Sequence, residues 1–335
     1  MERMRLGIVG CGSMGKSHAR AIAELDLIEV VAVADAIEQN AAELAAITAT
    51  KRVFGDYREL LALDDVQGIL VSVPNFLHKE VAVAAMRAGK DVLCEKPMAL
   101  TVRDCDAMLA AAESTGRKLM VGHVLRLMPP FIDIRRLISE GRLGRPLVAV
   151  INRMVGNPAF SAGALSDHWR RSRELTGGLL HEVNVHEFDL LRGIFGDAAQ
   201  VYAKSANLLH PGLDYDDFDS VMIDFRNGAS ATLLASNVGP MRNVSGTFIC
   251  EKGQISYSWD RDSTARYQLY SEEEPREIAR GDDFLTGIAA ENAMFAKWVL
   301  TGEQPEITGW DGRQAIAIVE SAYRSAKTGR PAKVK

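Results

Sequence analysis

Glu182, His186 and Asp189 have the types and spacing of a proton-transfer site. They lie at i, i+4 and i+7 in the apolar-periodic stretch 178–195, so on an α-helix all three project from one face. Histidine suits general acid–base work because its unperturbed pKa lies near neutrality. The alternative is a helix with a solvated polar face, but Gly177-Gly178 at its start would let a substrate approach the backbone. Lys96, in Cys94-Glu95-Lys96-Pro97, falls just beyond the carboxyl end of a predicted strand, the edge where open α/β sheets bind ligands. An ammonium there can hydrogen-bond a hydroxyl and stabilise charge developing on its oxygen, although a lysine at a turn is more often simply solvated. His181-Glu182 followed by His186 superficially matches a zinc-binding helix. The two histidines are five residues apart rather than four, so they do not share a face and no metal is predicted.

A second constellation is rich in glycine. Gly10-Cys11-Gly12-Ser13-Met14-Gly15 matches GxGxxG between a predicted strand and helix, and Asp35 closes the next strand 20 residues after Gly15. Gly10 permits the turn, Gly12 the approach of a diphosphate, and Gly15 close helix–strand packing. Ser13 and Met14 supply helix-terminal amides. The span from Gly10 to Ser17 also reads as a nucleoside-triphosphate loop, with Lys16 on the phosphates and Ser17 on magnesium. Gly12 and the placement of Asp35 are demands of the dinucleotide arrangement and favour it. Ala36 and Ile37 follow Asp35, with no arginine to receive a 2′-phosphate, so NAD is expected over NADP.

These residues need a frame. Met4–Val9 and the stretches 30–34, 68–73, 92–94 and 118–121 are apolar without alternation, as strands covered on both faces are. Helical patterns at 17–24, 39–47, 79–88 and 102–113 separate them, with Gly89 and Gly116 at expected left-handed ends. This predicts an N-terminal Rossmann doubly wound parallel sheet over residues 1–122. Over 123–335 we expect an α+β domain with a large, mostly antiparallel open sheet. Its helices are predicted at 131–139, 178–195, 284–300 and 311–327, the last two able to pack back on the first domain. Strands are predicted at 147–151, 201–207, 219–225, 229–236, 247–250, 255–259 and 266–270, with Asn227-Gly228 as a hairpin turn. In this sheet Val221, Ile223 and Phe225 alternate with Met222, and Ala231, Leu233 and Ala235 with Thr232 and Leu234. Apolar residues on both faces, with helices for one, predict association of copies through the second domain.

The 335 residues suit two domains, and 47% hydrophobic with 25% charged residues is ordinary for a globular protein. A net charge of -5 gives no case for nucleic acid or an anionic membrane as partner. We find neither a signal-like apolar stretch at the start nor a bilayer-length apolar run. Cys11, Cys94, Cys105 and Cys250 lack metal or disulfide spacing and fit reduced, buried thiols in a cytoplasm.

The chain resembles the glucose-fructose oxidoreductase, inositol dehydrogenase and rhizopine catabolism family nearly end to end. The resemblance rests on GIVGCGSMG at 7–15, VPNFLH at 73–78, AGKDVLCEKPMAL at 88–100, HWR at 168–170, GGLLHEVNVHEFD at 177–189 and the tail from Trp310 to Arg330. It implies hydride transfer between a nicotinamide cofactor and a secondary alcohol carbon of a sugar, polyol or inositol-like substrate. Lys96 and His186 would be catalytic, the Lys96–Pro97 bond cis, and the assembly a homodimer or homotetramer formed sheet to sheet. Pro74, Asn75, His78, Glu95 and Lys96 would border the cofactor. Glu182 and Asp189 would contact substrate, with His123, Arg126, Trp169 and Arg170 (and His168) as further candidates. Arg170, Arg171 and Arg173 could attract an acidic sugar, or form a solvated loop neutralised by Glu174. His18 and His210 show no pattern pointing to a role. The chain departs from the family in carrying Glu182 where aspartate is usual, which changes reach rather than charge. The family also contains relatives that retain the cofactor for lyase or glycosidase chemistry, and a sugar-responsive regulator that only binds dinucleotide. The presence of Lys96 and His186 argues against the last.

Overall fold

The computed structural model describes residues 2–155, 169–238, 242–259, 264–280 and 284–335. The chain divides into two compact units, Met1–Leu127 with Phe284–Arg313, and Met128–Asp283 with Gln314–Lys335.

In the first unit six parallel strands are ordered β3-β2-β1-β4-β5-β6: β1 (Met4–Val9), β2 (Ile28–Ala34), β3 (Val53–Phe54), β4 (Gly68–Val71), β5 (Asp91–Glu95) and β6 (Leu119–Gly122). That is the order of two mononucleotide-binding halves meeting at β1 and β4. Helices α1 (Ser13–Ile22), α2 (Glu38–Thr48), α3 (Tyr57–Leu61), α4 (His78–Arg87) and α5 (Val102–Thr115) connect the strands. The uninterrupted apolar strands bury Ile8, Val33, Leu70, Leu93 and Met120 completely or nearly so. Helix α9 (Phe284–Thr301) adds Phe295 and Ala296 to this core. Gly116 ends α5 at φ +65°, and Thr101 caps its start by accepting the Asp104 N–H. Neither β3 nor α3 is expected from the sequence. β4 also ends two residues earlier than expected, because at Ser72 the hydroxyl donates to the Gly10 carbonyl and the chain turns into Pro74.

The second unit holds a nine-stranded sheet in the order β14-β13-β12-β11-β7-β10-β9-β8-β15. Its strands are β7 (Pro146–Met154), β8 (Ala198–Ala206), β9 (Phe218–Phe225), β10 (Ser230–Ser236), β11 (Asn243–Cys250), β12 (Gly253–Ser258), β13 (Thr264–Leu269), β14 (Arg276–Arg280) and β15 (Ala332–Lys333). Only β7 and β10 pair in parallel. Three helices meet its inner face: α6 (Phe131–Ser139), α8 (Val185–Phe195) and the part of α10 (Gly309–Thr328) from Gln314 on. Phe131 packs edge-on to Tyr257 and Trp259, Phe195 stacks on Phe225 and Phe248, and Ser325 Oγ accepts the Ala203 N–H. The sequence reading omits β14 and β15, and the short helix α7 (Arg173–Thr176) lies in a segment it treats as irregular.

One expected element is corrected. The single α-helix predicted over 178–195 begins instead with a π turn, Leu180–Asn184, that leads into α8. Gly177 and Gly178, at φ +85° and +96°, let two side chains press against the backbone. A Cβ on Gly177 would lie 2.5 Å from the His181 ring, and one on Gly178 2.7 Å from the Tyr323 hydroxyl. That hydroxyl accepts the Leu180 N–H at 3.0 Å, and the Tyr323 ring stacks on His181. Among the described residues no helix is long and apolar enough to cross a membrane.

Candidate active site

The first unit builds a dinucleotide cradle from the glycine turn. Gly10 sits at φ +95°, and a Cβ there would lie 2.5 Å from the Ser72 carbonyl. A Cβ on Gly15 would lie 2.2 Å from the Gly10 oxygen, whereas one on Gly12 would meet nothing within 4 Å. The open space therefore lies at the middle glycine, where a diphosphate must approach. Helix α1 starts at Ser13 with no side-chain cap and no acid in its first turn. The amides of Ser13, Met14 and Gly15 lack intrahelical acceptors, so this helix end suits an anion. Asp35 follows β2, its carboxylate held by the N–H groups of Cys11 (2.7 Å) and Ile37 (2.8 Å). Each oxygen keeps a lone pair for a ribose hydroxyl. These residues fit a bound dinucleotide.

The triphosphate reading loses both of its side chains. Lys16 Nζ lies 2.5 Å from Glu43 on α2, and Ser17 donates to the Ser13 carbonyl. The four cysteines are all buried, and none is in a disulfide. Burial pushes the Cys11 thiol up to about 12 and Cys250 up to about 11, which makes neither a nucleophile near neutrality.

Lys96 follows β5 directly, is half-buried, and precedes Pro97 through a cis bond. His78 braces this edge, with Nδ1 2.7 Å from the Pro97 carbonyl and Nε2 2.9 Å from that of Val73. It thereby ties the turn after β4, with Pro74 and buried Asn75, to the turn after β5. Glu95 is buried, and its Oε2 accepts the N–H of Lys96 at 3.0 Å. Burial would raise this carboxyl, but a hydrogen bond from His18 and the nearby positive charge of Lys96 hold it below the usual range. His123 is buried just past β6, and buried Arg126 pairs with Asp311 at 3.3 Å.

In the second unit the π turn carries Glu182, and α8 carries His186 and Asp189. Glu182 and His186 are half-buried, while Asp189 is fully buried. The π turn breaks the i, i+4 relation expected between Glu182 and His186, but His186 and Asp189 keep theirs on α8. Glu182 Oε1 accepts from Arg170 Nε at 2.8 Å, Arg170 lies over the Trp169 ring, and Tyr215 donates its hydroxyl to the Arg170 carbonyl. His168 lies outside the described residues.

Two residues escaped the sequence reading. His18, without a pattern in the sequence, is fully buried with Nε2 2.8 Å from Glu95 Oε1. Asn237 follows β10, is buried, and among the described residues has no hydrogen-bond partner at either side-chain amide atom. Alternation was the available signal, since position 237 continues the inward parity of Ala231, Leu233 and Ala235. His210 accounts for itself locally by binding Asp217, which also accepts the N–H groups of 208–210.

Comparison with known proteins gives the family. Residues 4–123 match the model of the oxidoreductase family with an NAD-binding Rossmann fold, and residues 131–256 match the GFO/IDH/MocA C-terminal domain. The chain belongs to the GFO/IDH/MocA oxidoreductase family. Inositol 2-dehydrogenase 2 of Saccharopolyspora erythraea is 33% identical over 99% of this chain and 95% of its own. A 4-carboxy-2-hydroxymuconate-6-semialdehyde dehydrogenase of Sphingobium sp. is 30% identical over 96% of each. Among solved structures, a levoglucosan dehydrogenase in complex with NADH and levoglucosan superposes with a TM-score of 0.92 over 99% of this chain and all of its own, at 24% identity. That likeness concerns the fold. The aldose-aldose oxidoreductase from Caulobacter crescentus, complexed with glycerol, gives 0.87 at 25% identity over 99% of this chain and 100% of its own. As a GFO/IDH/MocA member the chain is an enzyme of oxidoreductase type, and its glycine turn and Asp35 belong to the matched NAD-binding region.

Proposed function

We propose that this protein is an NAD-dependent dehydrogenase acting on a secondary alcohol of a sugar, polyol or inositol-like molecule. The observation that carries the reading is the shared edge of one parallel sheet: the open, uncapped turn at Gly12 follows β1, Asp35 follows β2 and Lys96 follows β5. When bound, the nicotinamide supplies hydride acceptance and donation. Lys96 holds the substrate hydroxyl and stabilises charge on its oxygen, while His186 takes or returns the proton. Glu182 with Arg170, and the unsatisfied amide of Asn237, offer polar partners of the kind a polyhydroxylated substrate needs. The names of the relatives support the substrate class. Buried cysteines without a disulfide support a reducing cytoplasm, and the sheet of the second unit supports pairing of two copies through its outer face.

Cyclic polyols, aldoses and sugar acids supplied with NAD test the reading through the absorbance of NADH. Reduction of NAD with at least one of them is expected. Cleavage of a glycoside without net NADH would replace dehydrogenation by cofactor-assisted lysis, and no turnover on any of them would overturn the reading.

A further inference from the structure

His18 lies on α1, the helix whose start receives the cofactor, yet its ring points away from solvent into a buried polar chain. Its Nε2 is 2.8 Å from Glu95 Oε1, and its Nδ1 is 2.9 Å from Asn292 Nδ2 on α9. The same Asn292 nitrogen donates to the Ile288 carbonyl at 2.8 Å, which fixes the amide's orientation because a carbonyl accepts only from a donor. Its second hydrogen faces His18 Nδ1, which also lies 3.2 Å from Asn292 Oδ1, and Nε2 donates to Glu95 because an ionised carboxylate only accepts. The other Glu95 oxygen accepts the Lys96 N–H. A continuous donor–acceptor sequence thus runs from the backbone of α9 through α1 to the peptide of Lys96. Glu291 lies beside it, 4.0 Å from His18 Nε2, and Gly122 leaves the room: a Cβ there would come within 3.1 Å of Glu291 and 3.4 Å of Glu95 Cα.

A buried carboxylate is costly unless its oxygens are satisfied. Here the two acceptances have different targets, one on the cofactor-binding helix and one on the lysine peptide. We propose that His18 is a positioning residue for hydride transfer: acting through Glu95, it fixes the Lys96 peptide to the helix that receives the dinucleotide. The inference rests on the reading of Lys96 as the residue that holds the substrate hydroxyl. It assigns His18 no contact with substrate or cofactor.

The test compares His18→Leu, His18→Gln, Glu95→Gln and Lys96→Ala in the full chain. Glutamine places its amide nitrogen where the histidine has Nε2, so it preserves the donor to Glu95. Leucine removes it. His18→Leu is expected to lower kcat by ~10²-fold, the size of effect that misplacing a reacting group produces. The Kd for NADH, read by fluorescence, and the substrate KM should both stay within about threefold of the parent. His18→Gln should recover kcat to within about fivefold. Glu95→Gln keeps the shape but must turn its NH2 toward one of two donors, so it too should lose about tenfold or more in kcat, and it reads the same link should the leucine variant not fold. Equal damage from leucine and glutamine, or parental kcat in Glu95→Gln, would overturn the proposal. Lys96→Ala separates the two readings: if it retains kcat, the role of Lys96 itself fails, whereas a dead Lys96→Ala beside a normal His18→Leu removes only the role of His18.

Discussion

In the proposed function, selectivity for NAD over NADP rests on one carboxylate. Asp35 is held by two backbone N–H groups, so its oxygens stand at fixed positions whether or not a ribose is present. A hydrogen bond to a charged group contributes about 1.5–3 kcal/mol, so Asp35→Ser should lower kcat/KM for NAD by roughly 10- to 100-fold. Activity with NADP should fall less or rise, because the repulsion of a 2′-phosphate is gone. Steady-state kinetics with both cofactors check this, and a parent enzyme that prefers NADP would refute it. His186→Ala should lower kcat by ~10²–10⁴-fold while dinucleotide binding persists, and a loss below about tenfold would mean that another group moves the proton. The glycines and Asp35 were legible in the sequence because their meaning depends on spacing along one βαβ unit. His18 was not, because its partners Glu95 and Asn292 are 77 and 274 residues away and only the folded sheet brings them to it.

At the scale of elements, the long periodic strands and helices lie where the sequence places them, although α1 and β11 each begin four residues earlier than expected. What was missed was short: β3, β14, β15 and the helices α3 and α7, whose few residues carry too little pattern to separate from loop. The π turn was hidden for another reason. It keeps the apolar periodicity of the following helix and differs only in how the Gly177-Gly178 backbone accommodates His181 and Tyr323, a contact made from far along the chain. Asp219 on β9 gives this layer a measurable signature. Burial pushes its carboxyl up to about 7, the Ser205 hydroxyl and Arg173 oppose the shift, and Asp216 and Asp217 add to it. Tyr323 of α10 stands near the same carboxylate. The folded protein therefore binds a proton that the unfolded chain releases near pH ~4, and stability falls as pH rises from there through about 7. Asp219→Asn stays uncharged and should lack that fall, gaining on the parent above pH ~7 by an amount on the order of 2–4 kcal/mol. Urea melts at about pH 5 and 8 would show it, and parallel losses in both proteins would exclude Asp219 as the cause.

At the scale of the whole molecule, the sheet of the second unit poses the remaining physical problem. Its inner face is covered by α6, α8 and α10, but its outer face carries Tyr202 (46% exposed), Met222 (51%), Val150 (44%), Val148 (39%) and Ile249 (36%). The register shows that these are not scattered. Tyr202 pairs with Met222, Met222 with Thr232 and Thr232 with Val150, one row across β8, β9, β10 and β7, while Val148 pairs with Ile249 of β11 in the next row, beside Ser230. Side chains directly opposite one another on a sheet face touch, and an apolar patch of this kind, rimmed here by Gln200, Lys204 and Asp224, is stabilised by leaving water. Face-to-face pairing with a second copy about a two-fold axis buries each row against its equivalent and closes the assembly. The parent protein should therefore show at least a dimer mass by light scattering behind size exclusion. Placing aspartate at both Val150 and Met222 puts a charge on either side of Thr232, and pairing through this face would have to bury both in each copy. The doubly substituted chain should run as a monomer with unchanged far-ultraviolet dichroism, since neither side chain contributes to the inner face. A parent protein of monomer mass at micromolar concentration would refute the pairing, and a doubly substituted chain that stays dimeric would move the interface off this face.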